Sequence, residues 1–166
     1  NAGHRVVQSL RRYRTYKLTL DLGCGDGAHY PYLEKPATCF GIDIDRASLE
    51  KLQSRFPDFF VICADGYNLP LRDGSIDCII NIYNLEHMVY LDLALEEMFR
   101  IIAPDGDIFI SVPNVGGVVW DTGSILTSQR TLTTETMSFK RVVEISHINC
   151  IWQLEKAFKR YFAIKR

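Results

Sequence analysis

The stretch LTLDLGCGDGAHYPYL, Leu18 to Leu33, runs an apolar segment into an aspartate and then three glycines within five residues. Gly23, Gly25 and Ala28 satisfy G-x-G-x-x-G/A, a spacing that turns the chain tightly and exposes backbone N–H groups to a nucleotide. Asp43 lies 20 residues beyond Gly23, where an acid that bonds ribose hydroxyls is expected. Charge separates the possible ligands. A dinucleotide would set its pyrophosphate beside Asp21 and Asp26, and a like-charge pair at about 4 Å and an effective dielectric near 20 costs roughly 4 kcal/mol. A ligand with an ammonium, a sulfonium and a ribose but no phosphate meets the same carboxylates favourably. S-adenosylmethionine is that ligand. An NAD(P)-dependent oxidoreductase using the same loop stays open. It calls for a Tyr-x-x-x-Lys pair or a comparable acid, and Tyr13–Lys17 has the spacing but precedes the glycine loop.

Positioning these residues falls to a regular alternation of elements. His4 to Arg14 reads as a helix, KLTLDLG as a strand ending at Gly23, and GAHYPYLEK as a short helix broken by Pro31. TCFGIDI is a second strand. DRASLEKLQSRF is a helix with Leu49, Leu52 and Phe56 at helical spacing and Pro57 past its end. FFVICAD and SIDCIINI are the third and fourth strands. LDLALEEMFRII is a helix with Leu91, Leu95, Met98 and Ile102 on one stripe, Pro104 to Gly106 a turn, and DIFISVP the fifth strand. Asn114 to Ile145 reads as a loop, within a lid or acceptor-side insertion over 114–147. INCIWQLEKAFKRYF is a last helix, and Phe162 to Ile164 open a sixth strand. Apolar strands alternating with helices predict an α/β, Rossmann-like, doubly wound and mainly parallel sheet with helices on both faces. Ligands bind such sheets at the carboxyl ends of the strands. Gly23 to Gly27, Asp43, Asp65 and Asn81 all fall at those ends.

Composition narrows the class. The chain has 166 residues, 47% hydrophobic and 23% charged, which suits one domain over 1–166. Its net charge of −1 provides no overall field for nucleic acid, which is not an expected partner. The basic run Arg11 to Lys17 reads as a solvated helix face, with a phosphate- or RNA-binding edge as the alternative. Five widely spaced cysteines without a C-x-x-C pair argue against a disulfide framework and against a zinc site. They fit small buried residues in a reducing, cytoplasmic setting. No signal-peptide pattern and no apolar run long enough to span a bilayer is visible. The first residue is Asn1 rather than Met, which leaves room for a longer native chain.

LDLGCGDG, FGIDID, CADGYNLPLRDGSIDCIINIYNLEHM and MFRIIAPDGDIFISVPN resemble, in order and spacing, successive motifs of the class I S-adenosylmethionine-dependent methyltransferases. The resemblance spans roughly Leu18 to Asn114. It implies S-adenosylmethionine as cofactor, with Asp21, Gly23, Cys24 and Gly25 around the methionine part and Asp43 on the ribose. Ile44 would pack on the adenine, Asp65 face its amine beside Gly66, and Asn81 and Ile82 close over the methionine end. Read alone, Asp43 also suits a helix cap, a role Asp45 takes better, and Asp65 also suits a turn. Asp77 reads as support for the start of the fourth strand. The chain departs from the family at Pro104-Asp105-Gly106, where Pro-Gly-Gly is common, and at Glu86-His87, where a histidine pair is common. The tail past Ile164 is too short for the hairpin that usually closes this sheet.

Methyl transfer chiefly requires alignment and exclusion of water, and a hydroxyl acceptor also requires a base. His87, Glu86 and His147 are the candidates; His87 also reads as a structural histidine capping the next helix, and His147 as a loop or helix-cap histidine. Tyr30, Tyr83 and Trp120 would form an apolar wall or part of the core. No metal is called for, and no clustered ligand set is visible. The expected acceptor is a small molecule such as a sugar, a lipid precursor or a metabolite. A non-catalytic module that binds S-adenosylmethionine is the alternative outside enzymology.

Overall fold

The computed structural model describes residues 15–28, 30–32, 38–112, 149 and 151–161. The central strands read as short apolar runs because they are covered on both sides. β1 (Thr19–Leu22) is buried throughout, and so is nearly all of β4 (Ile76–Ile82). β2 (Cys39–Asp43), β3 (Phe60–Cys63) and β5 (Ile102–Ser111) complete a parallel sheet in the order β3-β2-β1-β4-β5. β3 lies at one end of that order, which is why its burial is only partial and Phe60 is exposed.

Among the described residues, three α-helices cover the two faces. α1 (Arg46–Arg55) sets Leu49 and Leu52 against Cys24 and Phe59. On the opposite face α2 (Leu91–Ile101) packs Ala94, Leu95, Met98 and Ile101 onto Leu20, Leu22, Ile42 and Ile79. α3 (Ile151–Tyr161) adds Leu154 and Ala157 to that core. Each fully buried Leu, Ile or Met here stabilises the fold by about 1.5–3 kcal/mol. The sheet is therefore doubly wound, as its alternating elements predict. From β1 the chain builds outward through β2 and β3, then returns to lay β4 on the other side of β1. That reversal opens a crevice at the carboxyl ends of β1 and β4.

Local chemistry sets the helix ends. Asp45 caps α1: its carboxylate accepts from the Ala47 N–H at 3.1 Å and from the Ser48 hydroxyl at 2.6 Å. α1 stops at Arg55, two residues before Pro57, with the Phe56 N–H closing onto the Leu52 carbonyl.

Two expectations are corrected. Pro104 to Gly106 do not form a turn between helix and strand; α2 passes directly into β5 at Ile102. Ile76 pairs with Ile102 but Cys78 with Asp107, so five steps along β5 match two along β4, and three extra residues bulge. Pro104 has no N–H for a ladder, and a Cβ at Gly106 would fall 2.5 Å from Ile102 Cγ1, so the bulge sits where these residues permit it. The expected helix after the glycine loop is, where described, one 3-10 turn at Tyr30–Tyr32 around Pro31. The helix over His4 to Arg14, the insertion over 114–147, the strand over 162–164 and most of the basic run lie outside the described residues.

Candidate functional site

The glycine loop is held by backbone on one side and side chains on the other. The Gly23 and Cys24 N–H groups both donate to the Ile42 carbonyl, at 2.8 and 3.2 Å, which ties the end of β1 to β2. Gly23 and Gly27 both have φ of +78°, a conformation that favours glycine. Space forbids a side chain as well: a Cβ on Gly23 would sit 2.4 Å from Asn84 Cγ, and one on Gly27 1.9 Å from Leu52 Cδ1.

Asp43 ends β2 as a clamp. One carboxylate oxygen accepts from the Gly25 N–H at 2.8 Å and the other from the Asp45 N–H at 2.9 Å. Both oxygens retain a free lone pair, and the residue is only partly buried. Asp45 does the capping, so Asp43 keeps its outward face. Ile44, the next residue, is 69% exposed, a large apolar side chain presented at the rim. Asp65 is exposed and accepts from the Tyr67 N–H at 2.9 Å, so the turn reading of this residue holds. Gly66 is crowded by Met88, whose Cε lies 2.9 Å from where a Cβ would stand, so the loops after β3 and β4 meet there.

The floor of the crevice is polar and incompletely bonded. Asp21 is buried, and its Oδ1 has no partner among the described residues. Burial, with Asp43 as a second cause, pushes its carboxyl up to about 7. Asn81 is also buried; its Nδ2 donates to the Leu22 carbonyl at 3.0 Å and its Oδ1 has no partner among the described residues. Two residues expected at the cofactor turn inward. The Cys24 thiol lies in the core against Gly41, where a Cβ would come within 2.6 Å of its Sγ, so Cys24 offers the crevice only backbone. Burial drives that thiol further from ionisation. Ile82 packs its side chain with Tyr16, Cys78 and Ile80. Tyr30 is likewise drawn into packing, with Phe56 and Phe59 rings both 4.5 Å away, and forms no site wall.

The edge beyond β4 has a different construction. Tyr83 follows the strand with φ of 56°, left-handed backbone on a bulky residue, held by its N–H donating to the Ser111 carbonyl at 2.8 Å. Such a conformation carries about 1–3 kcal/mol of strain and marks functional edges. A 3-10 turn at Leu85–His87 then buries Glu86, whose Oε2 has no partner among the described residues and whose Oε1 lies 3.9 Å from His87 Nε2. Burial raises the Glu86 carboxyl above the usual range. His87 is partly exposed. Asn149 pins this turn: its N–H donates to the Glu86 carbonyl at 3.1 Å, and its Nδ2 to the Leu85 and Met88 carbonyls at 2.9 and 2.5 Å. Tyr83, expected in an apolar wall or the core, packs against the cluster of Tyr16, Cys78, Ile80 and Ile82, whereas Asn84 and Asn149 do not stand out in the sequence. Only an asparagine just ahead of an apolar helical stripe hints at the last. His147 and Trp120 lie outside the described residues. Asp77 proves structural, accepting from the Leu18 N–H at 3.0 Å to fix the approach to β1. Among the described residues no group of three His, Cys, Asp or Glu could hold a metal ion.

This donor set suits a cationic adenosyl ligand. Asp21 and Asn81 present buried oxygens that have no partner among the described residues and that an ammonium can satisfy, Asp43 keeps lone pairs for two hydroxyls, and Ile44 offers an apolar face. When bound, S-adenosylmethionine supplies an electrophilic methyl on a positively charged sulfur.

Residues 20–110 match the model of a methyltransferase domain. A probable S-adenosylmethionine-dependent methyltransferase of Mycolicibacterium smegmatis is 30% identical over 113 residues, 67% of this chain and 44% of that one. A demethylmenaquinone methyltransferase of Corynebacterium urealyticum is 36% identical over 93 residues, 55% of this chain and 40% of that one. A probable tRNA methyltransferase 9B of Mus musculus is 32% identical over 111 residues, 65% and 24% of the two chains. The chain thus spans less than half the length of these curated relatives. In fold it is similar to the crystal structure of a methyltransferase from Methanococcus maripaludis, with a TM-score of 0.69 at 16% identity, covering 96% of this chain and 76% of that one. Motif order, sheet order and the model match agree: the chain belongs to the methyltransferase-domain family, whose cofactor is S-adenosylmethionine.

Proposed function

We propose that this domain, taken as one unit over 1–166, transfers the methyl of S-adenosylmethionine to a small-molecule acceptor such as a sugar, a lipid precursor or a metabolite. The observation that carries the choice of acceptor is the charge at the mouth of the crevice: half-buried Asp43 and exposed Asp65 present carboxylates there, in a chain of net charge −1. A phosphate backbone approaching that edge meets repulsion, whereas a neutral or cationic small molecule does not. The demethylmenaquinone methyltransferases among the relatives support the same class of acceptor. In this reading Asp43 bonds the ribose, Ile44 covers the adenine, and Asp65 with Gly66 meets the adenine amine. Asp21, Gly23, Gly25 and Asn81 hold the methionine end, with Cys24 contributing backbone and Ile82 supporting Asn81 from behind. His87 takes the acceptor proton where one must leave, and buried Glu86 orients it. His147 belongs to the same acceptor side. The free cysteines Cys24, Cys39, Cys63 and Cys78 support a reducing, cytoplasmic location.

The test is two-part. Calorimetric titration with S-adenosylmethionine, S-adenosylhomocysteine and NAD should give binding for the adenosyl pair alone. Tritiated methyl label should then pass into the small-metabolite fraction of a cell extract. Label in RNA or protein would overturn the acceptor class, binding without any transfer would favour a non-catalytic module, and binding of NAD alone would return the site to an oxidoreductase.

A further inference from the structure

Asp21 occupies an unusual position even for a binding residue. It is 1% exposed and its Oδ1 has no hydrogen-bond partner among the described residues. β2 brings the Asp43 carboxylate towards it and places the Cys39 thiol nearby. The glycine loop contributes Cys24, and β4 contributes the Cys78 thiol at the level of Thr19 and the neutral Asn81. Among the described residues no lysine, arginine or histidine offsets it. The thiols supply no positive charge; burial and Asp21 itself push Cys24 and Cys39 further from ionisation. The Asp43 carboxylate accepts from two backbone N–H groups, whereas the Oδ1 of Asp21 has no donor among the described residues.

We propose that Asp21 is the specificity-determining residue for the amino-acid end of the ligand and that it works by proton exchange: its side chain is a neutral acid in the empty crevice and becomes a carboxylate only when a ligand ammonium enters. The balance is simple. The neutral acid gives its proton to solvent, and the resulting carboxylate pairs with the incoming ammonium, so the burial that disfavoured a lone charge is relieved by the opposite charge. An adenosyl ligand without the ammonium gains nothing from Asp21 and releases no proton. Selection for the whole amino-acid arm thus arises from electrostatics and not from shape alone. This inference rests on the adenosyl-ligand reading of the site given above.

Calorimetry of the whole chain in two buffers of different ionisation enthalpy counts the protons. At about pH 6, below the value of about 7 toward which burial and Asp43 carry Asp21, the acid is largely neutral. S-adenosylmethionine and S-adenosylhomocysteine should each then release close to one proton per site. 5′-Methylthioadenosine, which lacks the ammonium, should release almost none. Affinity for S-adenosylhomocysteine should weaken about tenfold for each pH unit below about 6.5, while that for 5′-methylthioadenosine stays flat. Asp21→Asn should abolish both the release and the slope, and the contrast between ligands on the unaltered protein decides the matter should that variant misfold. Tight binding of S-adenosylhomocysteine with no proton released would overturn this inference and leave the cofactor reading standing. Failure of all three adenosyl ligands to bind would overturn both.

Discussion

Two groups of carboxylates in this molecule meet opposite circumstances. Away from the crevice, Glu97 and Asp73 converge on Arg100: Glu97 holds it through both oxygens, at 2.7 and 2.8 Å, and Asp73 at 2.6 Å. The same guanidinium donates to the Leu69 and Leu71 carbonyls, while Glu97 accepts from the Leu69 N–H at 2.7 Å. Every charge there has its partner, and together they staple the loop before β4 to α2. In the crevice Asp43 lies close enough to act on Asp21, and among the described residues no cation offsets Asp21. A fold that neutralises one acidic group so completely has the means to neutralise the other. Leaving it bare is destabilising, and the missing counter-charge is one that a ligand can bring.

If that contrast is right, the largest effect lies at Asp21 in the ligand-free protein. Its folded pKa is raised from 3.8 to about 7, so its contribution is fully favourable below about pH 4 and is lost as pH rises through 7. At 1.36 kcal/mol per unit, the penalty above pH 8 is on the order of 4 kcal/mol as an upper figure. Asp21→Asn, which mimics the neutral acid, should be more stable than the parent by about 2–4 kcal/mol at pH 8 and near parity at pH 4, by urea denaturation. A difference that does not change with pH would mean that Asp21 is satisfied in the empty site. Next in size is Asp43. Its charge-assisted bonds are each worth about 1.5–3 kcal/mol, so Asp43→Ala should lower affinity for S-adenosylhomocysteine at least about 100-fold. Unchanged affinity in calorimetry would remove the ribose assignment.

The two halves of the site also differ in how far the sequence reveals them. The placing of the glycine loop, Asp43 and Ile44 is legible because it depends on local backbone: glycine where φ is positive, an acid and an apolar residue at the end of an apolar strand. The strand and helix alternation is legible for the same reason, since period and burial are local properties. What sequence misses depends on distant contacts. Nothing near Cys24 indicates that Gly41, 17 residues on, makes room for its thiol. Asn149 acts on the turn at Leu85–His87 across more than 60 residues. The motif Pro104-Asp105-Gly106 says turn, and only the ladder with β4 converts it to a bulge. The acceptor side is assembled from such contacts, so it is the side that single residues announce least.

The paired group supplies the control for this comparison. Arg100→Ala leaves the Leu69 and Leu71 carbonyls and a half-buried Glu97 without their partner. With partial exposure of the guanidinium taken into account, it should cost about 2 kcal/mol of stability. Affinity for S-adenosylhomocysteine should stay within about twofold, because no paired charge here reaches the crevice. A large loss of affinity would show that the staple and the site are one unit.

The smallest effect separates the two groups by sign. The Arg100 hydrogen bond, ahead of the Leu69 N–H and the charge of Arg100, holds the Glu97 carboxyl below its usual value. A depressed folded pKa stabilises above the unfolded value of about 4.3 and loses that stabilisation as pH falls through the folded one. Glu97→Gln should therefore be less stable than the parent by about 1 kcal/mol at pH 7, and the gap should close below about pH 4. Asp21→Asn diverges from the parent as pH rises, and Glu97→Gln converges on it as pH falls. Two denaturation series over the same pH range thus distinguish an acid held for structure from an acid held for a ligand. Parallel curves for the two variants would abolish the distinction.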